Sequence, residues 1–180
     1  MGFSFSCVPA DIDEKAIGNR STDEPKDLVL NVARAKAKAV LPSVQDKRGI
    51  LLAGDQVVVF QGRILEKPRT PLECRQFMRA YAQAPCSTVG SVVLVDLATG
   101  ASVEGVDVAT VQWNRIPEDV IDVLIQEGDC LYCAGGLMIE HPLLQPFIAH
   151  VDGSIDSVMG LSKQLVTRLI EELGNLDTAR

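Results

Sequence analysis

The chain has 180 residues, 47% apolar and 23% charged, a globular composition that excludes a disordered chain. With 17 basic and 24 acidic side chains its net charge is −7, which argues against a surface built for nucleic acid or anionic lipid but allows a phosphate pocket with a few local cations. No apolar run approaches the ~20 residues of a membrane span, and the opening Met-Gly-Phe-Ser-Phe-Ser lacks the basic flank and apolar centre of a secretory signal.

In chain order, Phe3 to Val8 alternates loosely before Pro9 and reads as a short strand. A loop with Asp11, Asp13 and Glu14 follows. Thr22 or Asp23 is expected to cap a helix with Pro25 in its first turn, running to about Leu41. Its apolar stripe is Leu28, Val29, Val32, Ala33, Ala39 and Val40; Lys36 falls on that stripe, whereas Arg34 and Lys38 do not. Ile50–Ala53 and Val57–Phe60 are strand-like runs interrupted by Gly54-Asp55-Gln56, and Gln61-Gly62 turns the chain back into Arg63–Leu65. Thr70-Pro71-Leu72-Glu73 is a capping-box start for a helix that buries Cys74, Phe77, Met78 and Tyr81. Strands are expected over Ser91–Asp96 and Val103–Trp113, then a helix from Pro117 to Gly128. A last helix presents Leu161, Leu165, Val166, Leu169, Ile170 and Leu173 and stops at Gly174. Helices and strands interleave with no linker, which predicts a single α/β domain whose sheet is mixed, since hairpins accompany crossovers.

Five cysteines (7, 74, 86, 130 and 133) are odd in number and irregularly spaced, as in a reduced, intracellular protein. Cys130-x-x-Cys133 has no second pair to complete a zinc site, and it enters Ala-Gly-Gly rather than a helix start, so packing is the better reading.

Asp55 is the most unusual charge, because it interrupts a buried strand where a carboxylate needs a partner or water. A two-residue turn at Gln61-Gly62 pairs position 56 with 67, and a three-residue loop pairs 55 with 67, so either register brings Lys67 within one residue of Asp55 and Gln56. That juxtaposition is read either as a base beside a cation or as a structural ion pair. Lys36 either lays its stem on the core or enters the same cleft. Asp11, Asp13 and Glu14 suit a hard cation or a solvated loop. Glu140 follows Ala134-Gly135-Gly136, where the glycines mark close backbone approach or a tight turn, and it could accept hydrogen bonds from a base. His141 and His150 form no recognisable triad, and no Walker loop is present.

Together these segments resemble the Maf family, septum-formation-type nucleoside triphosphate pyrophosphatases. The resemblance runs from Val8-Pro9-Ala10-Asp11-Ile12-Asp13-Glu14 through Ala33-Arg34-Ala35-Lys36-Ala37. It is strongest at Gly54-Asp55-Gln56-Val57-Val58 with Leu65-Glu66-Lys67-Pro68, and it resumes at Cys133-Ala134-Gly135-Gly136, Glu140, Asp152-Gly153 and Val158-Met159-Gly160-Leu161. It implies a Maf/ITPase-like α/β fold over residues 1–180, with a mixed twisted sheet, flanking helices and a central cleft. It also implies hydrolysis of non-canonical, methylated or pyrimidine nucleoside triphosphates to monophosphate and pyrophosphate with a divalent metal, Mg²⁺ or Mn²⁺. Asp55 would be the general base, Lys36 and Lys67 would hold phosphates, Gln56 and Glu140 would select the base, and Asp13 with Asp55 would serve the metal. The family's opening strand, Ser-x-Ser-Pro-Arg-Arg loop and helix do not precede Phe3, so a shortened form is expected, weak in activity and prone to form a homodimer. Asp55-Gln56 and Glu140 lean towards members that prefer 7-methyl-GTP. A cytoplasmic protein without nucleic-acid or membrane partners is expected. The alternative is a catalytically weak nucleotide-binding or interaction module on the same fold.

Overall fold

Residues 92–95, Val-Val-Leu-Val, are apolar at every position, the pattern of a strand covered on both faces. A computed structural model of the protein shows both covers. It describes residues 2–178; Met1, Ala179 and Arg180, at the ends of the expected 1–180 domain, lie outside the described residues. The elements are α1 (Pro25–Val44), β1 (Ile50–Phe60), β2 (Arg63–Leu65), α2 (Pro71–Ala80), β3 (Cys86–Asp96), β4 (Ser102–Trp113), α3 (Glu118–Glu127), β5 (Ile148–Asp152), α4 (Ile155–Val158) and α5 (Lys163–Thr178), with short 3₁₀ turns between them. The strands form one sheet in the order β2-β1-β3-β4-β5. No helix among the described residues is long and apolar enough to cross a membrane.

The chain packs into two compact units, one of Met1–Asp55, Gly90–Asp107 and Leu161–Arg180, the other of Gln56–Val89 and Val108–Gly160. In the first, strand alternation divides the β3 side chains. Val93 and Val95 join Ala33 and Ala37 of α1 together with Leu51 and Ala53 of β1. Val92 and Leu94 join Ala101, Val103 and the α5 residues Leu165, Val166, Leu169 and Leu173. Complete burial of one such leucine, Leu169 for example, contributes about 2 kcal/mol. Arg34 on α1 also forks onto Glu104 of β4, with Nε donating to Oε2 at 2.7 Å.

The second unit has its own core around Val58, Phe60, Met78, Tyr81, Val111, Trp113 and Leu124. Phe60 meets Tyr81 edge-on at 5.6 Å, a favoured aromatic geometry. Arg75 and Arg79 of α2 both grip Glu118 of α3, whose carboxyl the Arg79 and then the Arg75 guanidinium hold down at about 2.

Several sequence expectations hold in detail. Gln61 and Gly62 both have positive φ, 48° and 74°, as a two-residue hairpin turn of type I′ requires, and Phe60 pairs with Arg63. Thr70 caps α2 by accepting from Glu73 N at 3.2 Å, and Gly128 closes α3 at φ 88°.

Others are corrected. The sheet is antiparallel rather than mixed. The crossover through α2 joins β2 to β3, but β1 lies between them, so the crossover leaves no adjacent parallel pair. Phe3–Val8 forms no strand; no neighbour among the described residues takes up its backbone groups, and an isolated extended segment has no ladder to stabilise it. Neither Thr22 nor Asp23 caps α1, since Glu24 stands at that position and Asp23 Oδ2 accepts from Asn19 N at 2.8 Å instead. The last helix begins after Leu161, with Ser162 Oγ accepting from Leu165 N. It runs through Gly174, because the ~1 kcal/mol cost of an internal glycine is smaller than the gain from burying Leu173 beside it. The strand β5 was not anticipated; Ile148 and Val151 are only half-buried, which leaves too weak an apolar pattern in five residues.

Gly54 fixes how closely β1 and β3 approach, since a Cβ there would sit 2.7 Å from the Ser91 backbone oxygen. Gly54→Ala is therefore expected to cost about 1–3 kcal/mol, read as a lower urea midpoint with an unchanged slope.

Candidate functional site

Strand alternation turns Asp55 to the side of β1 that carries Leu51 and Ala53, the side covered by α1. Helical spacing brings Lys36 of α1 to it. Lys36 Nζ donates to Asp55 Oδ1 at 2.8 Å and to the Gly54 carbonyl at 3.4 Å, and it pairs with Glu14 Oε1 at 3.1 Å. An ammonium has three hydrogens, and all three have acceptors here. Exposure falls inward along the group: the Glu14 side chain is 47% exposed, Lys36 20% and Asp55 14%. Burial raises the Asp55 carboxyl above the ordinary carboxylate value, against the pull of Lys36. Burial also opposes the Lys36 charge, but Asp55 and Glu14 overcome it and hold the ammonium above the ordinary lysine value.

Glu14 is placed by a loop that caps itself. Asp13 Oδ1 accepts from Lys15 N at 3.1 Å, starting the short turn Glu14–Ala16. Arg20 ties that turn from the other side, donating to the Glu14 carbonyl at 2.8 Å and to the Ile17 carbonyl. Gly18 closes the loop at φ 69°, where a Cβ would meet Asp23 and Leu28. Of the three loop acids singled out in the sequence, the structure brings Glu14 rather than Asp13 onto the cation. Sequence reasoning missed this, because three acids within four residues give no sign of which one points inward.

The second unit holds a cavity of about 150 Å³ lined by Gln56, Val58, Thr88, Cys133, Ala134, Leu137, Glu140, Val158 and Met159. Gln56 and Glu140, the expected base-selecting residues, thus share one cavity although 84 positions separate them. Three of the lining side chains each direct one donor onto a backbone carbonyl. Gln56 Nε2 donates to Ser157 O at 2.7 Å, Thr88 Oγ1 to Ala109 O at 3.4 Å and Cys133 Sγ to Asp129 O at 3.7 Å. Gln56 Oε1, the Thr88 lone pairs and the Glu140 carboxylate remain as acceptors.

Lys67 is exposed, two residues beyond the last β1–β2 pair, Val58 with Leu65. Its segment is held by Gly135 N, which donates to the Glu66 carbonyl at 2.9 Å. The backbone approach signalled by Gly135 and Gly136 is to protein groups. A Cβ on Gly135 would lie 2.5 Å from the Tyr81 hydroxyl and one on Gly136 2.8 Å from Cys74 Sγ, with both residues at positive φ. The Tyr81 hydroxyl itself donates to Gly135 O at 2.6 Å. His141 pairs with Glu127 at 3.0 Å, which gives it a structural partner. The cysteines are all free, and burial pushes Cys74 up to about 12 and Cys86 to about 11, as suits packing thiols.

Among the described residues no three or more His, Cys, Asp or Glu side chains gather as a ready-made metal cage. Two carboxylates, Asp55 and Glu14, do meet on one cation. Hard oxygen donors in that number fit a magnesium-type ion, which commonly takes one or two carboxylates and completes its shell with water and substrate phosphate. Asp13 Oδ1 caps the adjoining turn.

A family model described as "Maf-like protein" matches residues 1–173. The 7-methyl-GTP pyrophosphatase of Dictyostelium discoideum is 41% identical over 179 residues, covering 96% of this chain and 88% of that protein. A nucleoside triphosphate pyrophosphatase of Salinispora tropica is 32% identical over 176 residues, covering 96% and 76%. A dTTP/UTP pyrophosphatase of Bdellovibrio bacteriovorus is 29% identical over 174 residues, covering 95% and 88%. With a match this long in both directions, the chain belongs to the Maf-like protein family.

Proposed function

We propose that this chain is a nucleoside triphosphate pyrophosphatase that releases pyrophosphate from guanine-type, including methylated, nucleotides in preference to pyrimidine ones. The observation that carries the reading is the half-buried Asp55 carboxylate on an ammonium shared with Glu14. The names of the three relatives support the reaction class.

In this reading Asp55 takes a proton from a water molecule. The water oxygen bonds to the α-phosphorus, the bond from that phosphorus to the α–β bridging oxygen breaks, and pyrophosphate leaves with the bridging oxygen. A carboxyl raised by burial is a better proton acceptor than an ordinary aspartate, and the Lys36 ammonium works against that rise by favouring the charged form. Lys36 also neutralises phosphate charge. The contact it can exchange for a phosphate oxygen is the one to the exposed Glu14, so the bond to Asp55 persists. Lys67 is assigned to the phosphates as a solvent-facing cation. Asp55 and Glu14 would hold a divalent cation, which when bound supplies further neutralisation of the phosphate oxygens. Free cysteines throughout support a reducing, cytoplasmic setting.

The choice of base follows from the acceptors in the cavity of the second unit. A guanine edge offers an imino and an amino hydrogen side by side, which Glu140 can accept. A uracil or thymine edge flanks its single N–H with two carbonyl oxygens, which the same carboxylate repels.

Pyrophosphate release from a panel of nucleoside triphosphates with Mg²⁺ or Mn²⁺ tests the reading, and absence of release from every member would overturn it. Asp55→Asn is expected to lower kcat by ~10²–10⁴-fold while nucleotide affinity stays within a few-fold; wild-type turnover would remove Asp55 from the reaction. The pH profile of kcat/KM should lose activity as pH falls through the raised Asp55 value, placing the acid limb above the ordinary aspartate pKa of about 3.9. Because Lys36 lowers the Asp55 pKa, Lys36→Met should move that limb to higher pH, and an unmoved limb would assign it to another group. Glu140→Gln should shift the ratio of kcat/KM values from GTP and 7-methyl-GTP towards UTP and dTTP. An unchanged ratio would show that Glu140 does not select.

A further inference from the structure

Gln56 does not reach into its cavity as a free side chain. Its amide nitrogen is bound to Ser157 O at 2.7 Å, and a carbonyl can only accept, which fixes the orientation of the amide. Ser157 O also accepts from Gly160 N at 3.1 Å, so both of its lone pairs are used. The segment held in this way is a compact turn. Ser154 Oγ accepts from Ser157 N at 3.3 Å, Val158 N donates to Ser154 O, and Met159 N donates to Ile155 O. Glycines at positive φ bound it on both sides, Gly153 at 107° and Gly160 at 116°.

The turn divides its apolar side chains unusually. Both Val158 and Met159 line the cavity, but Val158 is buried in the core of the unit whereas Met159 is 58% exposed. A methionine left largely in water on the wall of a cavity with acceptors at one edge is an unfinished surface. Thioether and methyl groups pack well on the face of a flat aromatic ring.

We propose that Gln56 is a positioning residue: it latches the Ser154–Gly160 turn so that Met159 lies against the face of the bound base, while Glu140 meets the edge of that base. The proposal rests on the base-selecting cavity of the preceding reading and adds to it the turn, its latch and the apolar contact. Gln56 sets specificity through the turn, and its Oε1 and second Nε2 hydrogen take no part in that latch.

The test uses the full chain with three readouts. Hydrogen exchange of the amides of residues 154–160 is measured without nucleotide in the wild type and in two variants that keep the size of the side chain but lose the donor, Gln56→Met and Gln56→Glu. Both should exchange about 10-fold faster there, with the rest of the second unit unchanged; equal exchange would overturn the latch. Adding GMP to the wild type should slow exchange over 154–160, and UMP should do so less. No slowing by GMP would overturn the assignment of the turn to the base. In steady state, Gln56→Met and Met159→Ala should raise KM for GTP about 10-fold with kcat within about 2-fold, and Met159→Leu should restore most of the loss. A fall in kcat at constant KM would make Gln56 a participant in the chemistry and overturn the positioning role. If the wild type releases no pyrophosphate, the two exchange experiments still decide the latch and the base contact, and only the reaction assigned above fails.

Discussion

Three negative or partly negative groups converge on one ammonium, and the catalytic reading depends on that geometry. Lys36 satisfies the Gly54 carbonyl, the Asp55 carboxylate and the Glu14 carboxylate together. Remove the cation and two carboxylates face each other in a half-buried place, where like charges and lost hydration both drive protonation. The ammonium therefore makes Asp55 tolerable on a covered strand and lowers a proton affinity that burial raises. The surrounding structure serves to keep the distance short. Gly54 lets β1 approach β3, the Ser91 hydroxyl donates to the Val29 carbonyl of α1 at 2.8 Å and lies 3.3 Å from Asp55 O, and the Arg20-tied loop brings Glu14 in from the side.

The second unit solves a different problem with neutral groups. Its cavity is biased by occupying donors, since one Gln56 amide hydrogen and the Thr88 hydroxyl and Cys133 thiol hydrogens are directed at backbone oxygens. Acceptors then face the space, and a carboxylate at the rim completes the bias. Such a site discriminates chiefly by leaving the wrong ligand with unsatisfied oxygens, which is more selective than a difference of one methyl group in an apolar pocket.

Much of this was legible in the sequence wherever a local rule governs. The two-residue turn at Gln61-Gly62, the Thr70 cap and the Gly128 stop are short-range chemistry, and they appear where the residues place them. Lys36 was recognisable because a cation on an apolar helical stripe breaks the period, and Asp55 because a carboxylate breaks a strand. What stayed hidden depends on the partner across space. Glu14 is one acid of three until Arg20 fixes the loop. The segment Phe3–Val8 had the right alternation but no neighbour among the described residues, and the strand at Ile148–Asp152 had a neighbour but little alternation. The direction of the sheet was misjudged because a helical crossover usually links parallel neighbours, and here it passes over β1. Gly135 and Gly136 signalled close approach correctly, yet the sequence could not say that Tyr81 and Cys74 were what approached.

Asp55 and Gln56 are consecutive on one strand, and the pleat turns them to opposite sides. One serves the ammonium of α1 and the other holds the turn around Ser157. The register of β1 is therefore a functional coordinate in its own right. A single residue inserted between Ile50 and Gly54 would exchange the two sides, turning the carboxylate away from Lys36 and the amide away from Ser157 together. It would also bring a residue with a Cβ to the place beside Ser91 O that only glycine fits. The number of residues in the eleven-residue β1, and not only their identity, thus decides which side of the strand carries the carboxylate and which the amide.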